Sequence, residues 1–245
     1  MGIDGEPHPH WWRRLLWLLA AVGALLVAAS LLAPWVLGHD VSFAGSPIRN
    51  YIDVNGEANL PTWWSTTLLA LAGVFSAAVG IVHRATGESG AFRWAVMAVL
   101  FLAMSVDEFT RVHDRIQHAW RALFGADPFT SIEWMLILIP VALVVAVAVL
   151  LLVRPLPRVP KVLLAIGGAC YVLGAVGVDA LAGAGLPLLD SGTMGRFLLL
   201  NLEELGEFVG AAFFVVFPLS AFSLSVTRHG AVTLELTSRA GAETA

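Results

Sequence analysis

Six long apolar segments divide the chain, and they restrict its possible structures more than any other feature. A helix crosses a bilayer core with about 20 apolar residues, and most of the segments are near that length. They cover about residues 15–37, 63–82, 94–110, 132–153, 162–181 and 197–226. None has the alternation over about ten residues that a membrane barrel strand requires. The sequence therefore predicts an all-α integral membrane protein, a single domain (1–245) built as a bundle of about six transmembrane helices, and no strands.

The composition supports lipid as the surrounding medium. Hydrophobic residues make up 58% of the 245-residue chain and charged residues only 13%, whereas a soluble domain carries roughly 25% charged residues. The net charge of −4 and the absence of a basic stripe exclude a nucleic-acid partner. The single cysteine, Cys170, excludes a disulfide within the chain.

Basic residues predict the orientation of the bundle, because cytoplasmic loops are enriched in lysine and arginine. If both termini are cytoplasmic, most basic residues fall on the inner side. These are Arg13, Arg14, His83, Arg84, Arg93, Arg154, Arg158, Lys161, Arg228 and Arg239. The sequence thus predicts a multi-pass protein of the plasma membrane with both termini inside and a cytoplasmic tail at 228–245.

Two segments depart from a plain series of spans. Residues 38–62 form a long loop on the outer side, with Asp53 and Asn55 as expected turn residues. After the third span, apolar residues continue at helical spacing as far as Phe124. This pattern predicts an amphipathic extension of the third helix that lies against the bundle or in the headgroup layer.

The sixth span carries the sharpest cluster of acidic residues. Glu203, Glu204 and Glu207 fall within about a 100° arc of one helix. Three carboxylates at the edge of a low-dielectric medium resist joint ionisation, so a metal ion, arginine partners or protons must compensate them. Gly206 and Gly210 form a Gly-x-x-x-Gly step beside the acids, which allows another helix to approach closely.

Acids of the third span reach the same outer level when the rise is counted at about 1.5 Å per residue. We therefore predict that the third and sixth spans are neighbours, with Gly206 at their close contact. The predicted ligands of a divalent metal ion are Asp107, Glu108, His113, Glu203 and Glu207. This oxygen-rich set suits magnesium, manganese, calcium or iron better than copper(I).

The leading functional hypothesis is a metal site near the outer face, either structural or catalytic. In a catalytic site the metal would activate water to hydrolyse a lipid or lipid-linked substrate, with Glu108 and Glu204 as the catalytic acids. The sequence does not decide whether the chain is an enzyme. Membrane lipid is the expected surrounding partner, and a homo-oligomer or a membrane-protein partner is compatible with the sequence.

Two other functions fit the same residues. In a non-catalytic assembly or sensor protein, the acids would pair with arginines, as in an Asp107–Arg111 pair, and the long outer loop would bind a partner. Glu203 and Glu204 could also simply compensate the positive N-terminus of the last helix. In a proton- or cation-coupled transport component, the same acids would carry the ion.

Overall fold

The computed structural model describes residues 7–8, 10–40, 46–112, 115, 131–182, 187–190, 192–226 and 232–236. Side chains are described for the same residues except 7–8, 131–139, 142, 176, 178–180, 182, 226 and 232.

The described part of the chain is mostly helical, and each predicted apolar segment falls on a helix. A short helix within the long loop adds to these six, and a 3-10 turn at Pro187–Leu189 precedes the last helix. The helices are α1 (Trp12–Leu37), α2 (Pro47–Ile52), α3 (Leu60–Ala85), α4 (Ala91–Thr110), α5 (Ser131–Val153), α6 (Arg158–Ala182) and α7 (Met194–Leu219).

Local capping explains where three of these helices begin. Ser46 precedes α2, Asn59 precedes α3 and Thr193 precedes α7, and each side chain accepts a hydrogen bond from the backbone N–H three residues later. These bonds satisfy N–H groups that have no partner within the helix. Proline follows the cap of α2 and of α3, at positions where its missing N–H costs nothing.

The helices pack mainly as two antiparallel pairs, α3 with α4 and α6 with α7. α7 also packs against α1 and α3, so it occupies the centre of the bundle, whereas α5 contacts mainly α6. Aromatic side chains join α4 to α7: the ring centroids of Trp94 and Phe217 are 5.1 Å apart, and those of Phe101 and Phe214 are 4.9 Å apart. The third and sixth apolar helices are therefore neighbours, as predicted.

This packing gives the bundle two distinct ends. At the sheet end α1 begins with Trp12, α7 ends with Leu219, and a small sheet is present. At the opposite end, called the loop end, α1 finishes, α3 begins and α4 ends at Thr110. The acids of α4 lie in its last turn, nearest the loop end, and those of α7 lie between its tenth and fourteenth residues counted from the loop end.

The prediction of an all-α chain without strands is wrong in one respect. Pro7–His8 (β1), Phe222–Val226 (β2) and Val232–Leu236 (β3) form an antiparallel sheet in the order β1-β2-β3. The last helix was predicted to continue to residue 226, but it ends at Leu219. The residues of β2 alternate between apolar and serine side chains, a period of two that suits a strand better than a helix.

The prediction of an unbroken extension of the third helix is also wrong. α4 ends at Thr110, and Arg111 adopts the left-handed conformation, with φ 52° and ψ 48°. This conformation is uncommon for a residue with a side chain, and it redirects the backbone. Helical spacing therefore cannot be carried from Asp107 past Arg111, and residues 113–114 and 116–130 lie outside the described residues.

Among the residues that the structure describes, three helices are long and apolar enough to cross a membrane: Trp12–Leu37, Leu60–Ala85 and the Arg158–Ala175 part of α6. α4 and α7 have comparable lengths, 20 and 26 residues. They differ from those three in carrying acidic residues close together, which raises the number of charged residues in any span-length stretch of either helix. The residues that form the candidate site are thus also those that make these two helices less typical of membrane spans.

Candidate carboxylate site

Glu108 is the best-anchored acid at the loop end. Ser65 of α3 donates a hydrogen bond from Oγ to Glu108 Oε1 at 2.7 Å. Tyr171 of α6 donates from its hydroxyl to the other carboxylate oxygen, Oε2, at 3.3 Å. Hydrogen bonds to an ionised acceptor are stronger than those between neutral groups, so two neighbouring helices hold this carboxylate in position.

Acids of α7 act electrostatically on the same tyrosine. Electrostatic interactions reach the Tyr171 hydroxyl from Glu207, Glu108 and Glu204. The carboxylate of Glu204 in turn interacts with those of Glu108 and Glu203. The structure therefore brings four of the predicted site residues into one region, where α4, α6 and α7 meet.

The glycine step of α7 faces α6, not α4 as the sequence analysis predicted for Gly206. A Cβ atom at Gly206 would lie 3.1 Å from the carbonyl oxygen of Cys170, and one at Gly210 would lie 2.8 Å from that of Gly167. Large aromatic side chains separate α4 from α7, which leaves the close approach to α6. Gly206 and Gly210 therefore allow another helix to pack closely, as predicted, but that helix is α6.

A small residue on α6 completes this contact beside the acids. A Cβ atom at Gly174 would lie 2.8 Å from the carbonyl oxygen of Glu203 and 3.4 Å from Cγ of Glu207. The close approach of the α6 and α7 backbones thus extends from Gly210 to the level of the carboxylates. Such an approach leaves little room for water on this side of the acids.

Arg111 supplies positive charge to the cluster. Its guanidinium forms an ion pair with Glu57 of the long loop and also attracts the carboxylate of Glu204. The left-handed conformation at the end of α4 places this side chain beside the loop. The backbone N–H of Arg111 donates to the carbonyl oxygen of Asp107, so the two residues named as a pair in one of the alternatives from the sequence lie one helical turn apart.

The long loop is ordered between residues 46 and 59 by buried polar contacts. Arg49 is 3% exposed and donates from Nη1 to the carbonyl oxygen of Asp40 at 2.6 Å. Asn59 donates from Nδ2 to the carbonyl oxygens of Asn50 and Asp53. The backbone N–H of Asn55 bonds to Oδ1 of Asp53, so the expected turn at these residues is present. This part of the loop covers the loop end beside Glu204, where Asp53 adds another negative charge.

The remaining predicted ligands are placed differently. Asp107 is half-buried and adjacent to Glu108, but successive residues of a helix point about 100° apart. His113, Asp114 and His118 lie outside the described residues, as do the side chains of Glu133 and Asp179. Within the described part of the chain, no group of three His, Cys, Asp or Glu side chains is arranged so that it could hold a metal ion.

Sequence reasoning did not identify Ser65 or Tyr171 as site residues. A serine in an apolar helix is usually bonded to its own backbone, and Ser65 also donates to the carbonyl oxygen of Thr62 at 3.1 Å. Tyr171 is one of only two tyrosines in the chain, and a hydroxyl within a strongly apolar segment requires a partner. That rarity is the one signal that could have drawn attention to it.

A family model described as "Domain of unknown function (DUF8692)" matches residues 15–221. The matched range includes α2 to α7, α1 from Leu15 onward and all the acids of the candidate site. No curated protein matches the chain, and no solved structure matches it.

Proposed function

The chain belongs to the DUF8692 family, and we propose that it is a multi-pass membrane protein that binds a divalent cation through carboxylates of α4 and α7. One observation carries the proposal: Glu108 of α4 is hydrogen-bonded to Tyr171 of α6, and the acids Glu204 and Glu207 of α7 lie near enough to act electrostatically on the same tyrosine. Ionisable groups within apolar helices are costly and are usually functional. Carboxylate and hydroxyl oxygens are the ligands that hard divalent cations prefer.

The six long helices are proposed to cross the membrane, with both termini on the cytoplasmic side of the plasma membrane. β1 pairs with β2, and the indole N–H of Trp11 donates to the carbonyl oxygen of Phe222 at 3.2 Å. These contacts hold the start of α1 and the end of α7 at the same end of the bundle. A chain that returns to its starting side makes an even number of crossings, which six helices satisfy. The basic residues are concentrated near that sheet end, which favours its cytoplasmic placement.

A bound cation would have to draw the acids closer together than they lie without it. Glu108 is fixed by Ser65 and Tyr171, whereas the Glu204 carboxylate has electrostatic neighbours but, among the described residues, no hydrogen bond or ion pair. Glu204 is therefore the acid best able to move onto an ion. His113 stays a predicted additional ligand.

The enzymatic form of this proposal is a metal-dependent hydrolase of a lipid or lipid-linked substrate. Both oxygens of Glu108 already accept hydrogen bonds, so Glu204 is the better general base for a metal-activated water. The rival proposal is a non-catalytic assembly or sensor protein in which Arg111 compensates the acids permanently. The contact of Arg111 with the long loop favours that rival, and the next experiment separates the two.

The test compares thermal unfolding of the detergent-purified protein in calcium or magnesium and in chelator, together with metal analysis. Binding of a cation at 100 times its Kd stabilises the folded state by about 2.7 kcal/mol. Glu204→Gln should abolish this gain and cost little in chelator, where the wild type carries uncompensated carboxylates. Glu235→Gln, on β3 at the sheet end, is the matched control and should retain the gain.

The arginine-paired rival predicts a different outcome. Glu204→Gln would then lose the same stability with and without chelator, because an attraction to Arg111 does not depend on a metal. A wild-type protein that contains no metal after purification and shows no chelator-dependent change in Tm would refute the cation site.

A further inference from the structure

Asn201 is the most deeply buried polar side chain on α7, with 1% of its surface exposed. Its Nδ2 donates to the carbonyl oxygen of Phe197 at 2.8 Å, and its Oδ1 has no hydrogen-bond partner. Only the NH₂ group of an amide can donate to a carbonyl, so this bond identifies the unpaired atom as the oxygen. A buried acceptor without a partner is unfavourable, and in proteins such an atom commonly binds a water molecule or an ion.

Glu204 lies three residues after Asn201, and side chains three apart on a helix are neighbours. As noted above, the carboxylate of Glu204 has no hydrogen bond or ion pair among the described residues. With Glu204 ionised, α7 presents two adjacent groups whose oxygens accept hydrogen bonds and cannot donate them. Such a pair lacks a donor or a positive ion.

The register of α1 against α7 shows what covers Asn201. A Cβ atom at Gly23 of α1 would lie 2.9 Å from Cβ of Phe208. Asn201 is two helical turns before Phe208, and Ser30 is two turns after Gly23 on the antiparallel helix, so they share one level. Ser30 is 2% exposed, and its Oγ accepts the N–H of Val54 at 3.3 Å. The long loop therefore contacts α1 at the level of Ser30, which is also the level of Asn201 on α7.

We propose that Oδ1 of Asn201 is a neutral ligand of the cation that Glu204 binds, and that it makes the site selective for Ca²⁺ over Mg²⁺. This inference rests on the proposed function. Ca²⁺ accepts amide and carboxylate oxygens in a flexible arrangement. Mg²⁺ requires near-ideal octahedral geometry and retains several waters, which the buried surroundings of Asn201 and Ser30 do not favour.

The experiment is calorimetric titration of the detergent-purified full chain with Ca²⁺ and, separately, with Mg²⁺. Asn201→Leu keeps the approximate size of the side chain and removes the oxygen. It should weaken Ca²⁺ binding at least tenfold and leave the weaker Mg²⁺ binding unchanged. Ser76→Ala is the matched control, because Ser76 is fully buried but bonds only within its own helix; its Ca²⁺ affinity should equal that of the wild type.

Folding is checked separately by thermal unfolding in chelator. There Asn201→Leu should be at least as stable as the wild type, because it removes an unpaired buried acceptor; if it does not fold, Asn201→Ala replaces it. Wild-type-like Ca²⁺ affinity in the folded variant would overturn the role of Asn201 while leaving the cation site intact, as would equal affinities of the wild type for the two ions. A wild type that binds neither ion overturns both the inference and the proposed function.

Discussion

Gly210→Ala should destabilise the contact between α6 and α7 and weaken the anchoring of the site. The added Cβ would lie 2.8 Å from the carbonyl oxygen of Gly167 and 2.8 Å from both N and Cβ of Tyr171. Comfortable contacts between heavy atoms are about 3.5–4.0 Å, so the helices must separate by about 0.5–1 Å. The hydrogen bond from Tyr171 to Glu108 is already 3.3 Å long, and a shift of this size would break it.

Gly168→Ala provides the control, because nothing lies within 4 Å of a Cβ at that position of α6. Both substitutions gain the same helix propensity, about 1 kcal/mol over glycine, so this contribution cancels between them. Overpacking of a tight contact costs about 1–3 kcal/mol. A chain of this size changes its Tm by about 2–4 °C per kcal/mol, so Gly210→Ala should melt about 2–12 °C below Gly168→Ala. Thermal unfolding in detergent measures the difference, and equal Tm values would refute the close packing of α6 on Gly210.

Three further predictions concern the long loop and the orientation. Glu57→Gln removes an exposed ion pair and should change the free energy of unfolding by less than about 1 kcal/mol; a larger loss would mean that the pair is a structural requirement. Asn59→Ala removes a helix cap and three further hydrogen bonds and should cost about 2–4 kcal/mol, whereas Asn55→Ala, at an exposed position, should cost about 0.5 kcal/mol or less; equal Tm values would contradict this. A reporter fused after Arg239 should be cytoplasmic and one inserted near Gly45 external, and the opposite result would reverse the predicted orientation.

The positions of the long helices could be predicted because long apolar segments give a strong signal. The packing of α4 beside α7 could be predicted because the acids of the two helices were expected at the same depth in the membrane. The end of α7 could not be predicted from hydropathy alone, because Phe222–Val226 extends the apolar segment although its residues alternate as in a strand. At these residues hydropathy predicts a continued helix, whereas the period of two predicts a strand. Pairing with β1 and β3 favours the strand.

The detailed arrangement of the site depends on contacts that a single sequence does not contain. The left-handed conformation of Arg111 has no local sequence signal, because asparagine or glycine usually occupies such positions. The glycines of α7 indicated that some helix packs closely against them. Which helix does so depends on the large aromatic residues between α7 and α4, which keep α4 at a greater distance. In the same way, the partners of Glu108 are hydroxyls 43 and 63 residues distant in the chain.

The small sheet has a consequence for the order of events during synthesis. Trp11 and Phe222, which are joined by a hydrogen bond, are 211 residues apart. At about 5–20 residues per second, the first strand is made about 10–40 s before its partner. It must stay unpaired while α1 to α7 emerge, and its pairing becomes possible only once the end of α7 has been released. Formation of the sheet would thus mark the completion of the bundle, and a chain arrested before β2 would expose an unpaired N-terminal segment to other binding partners.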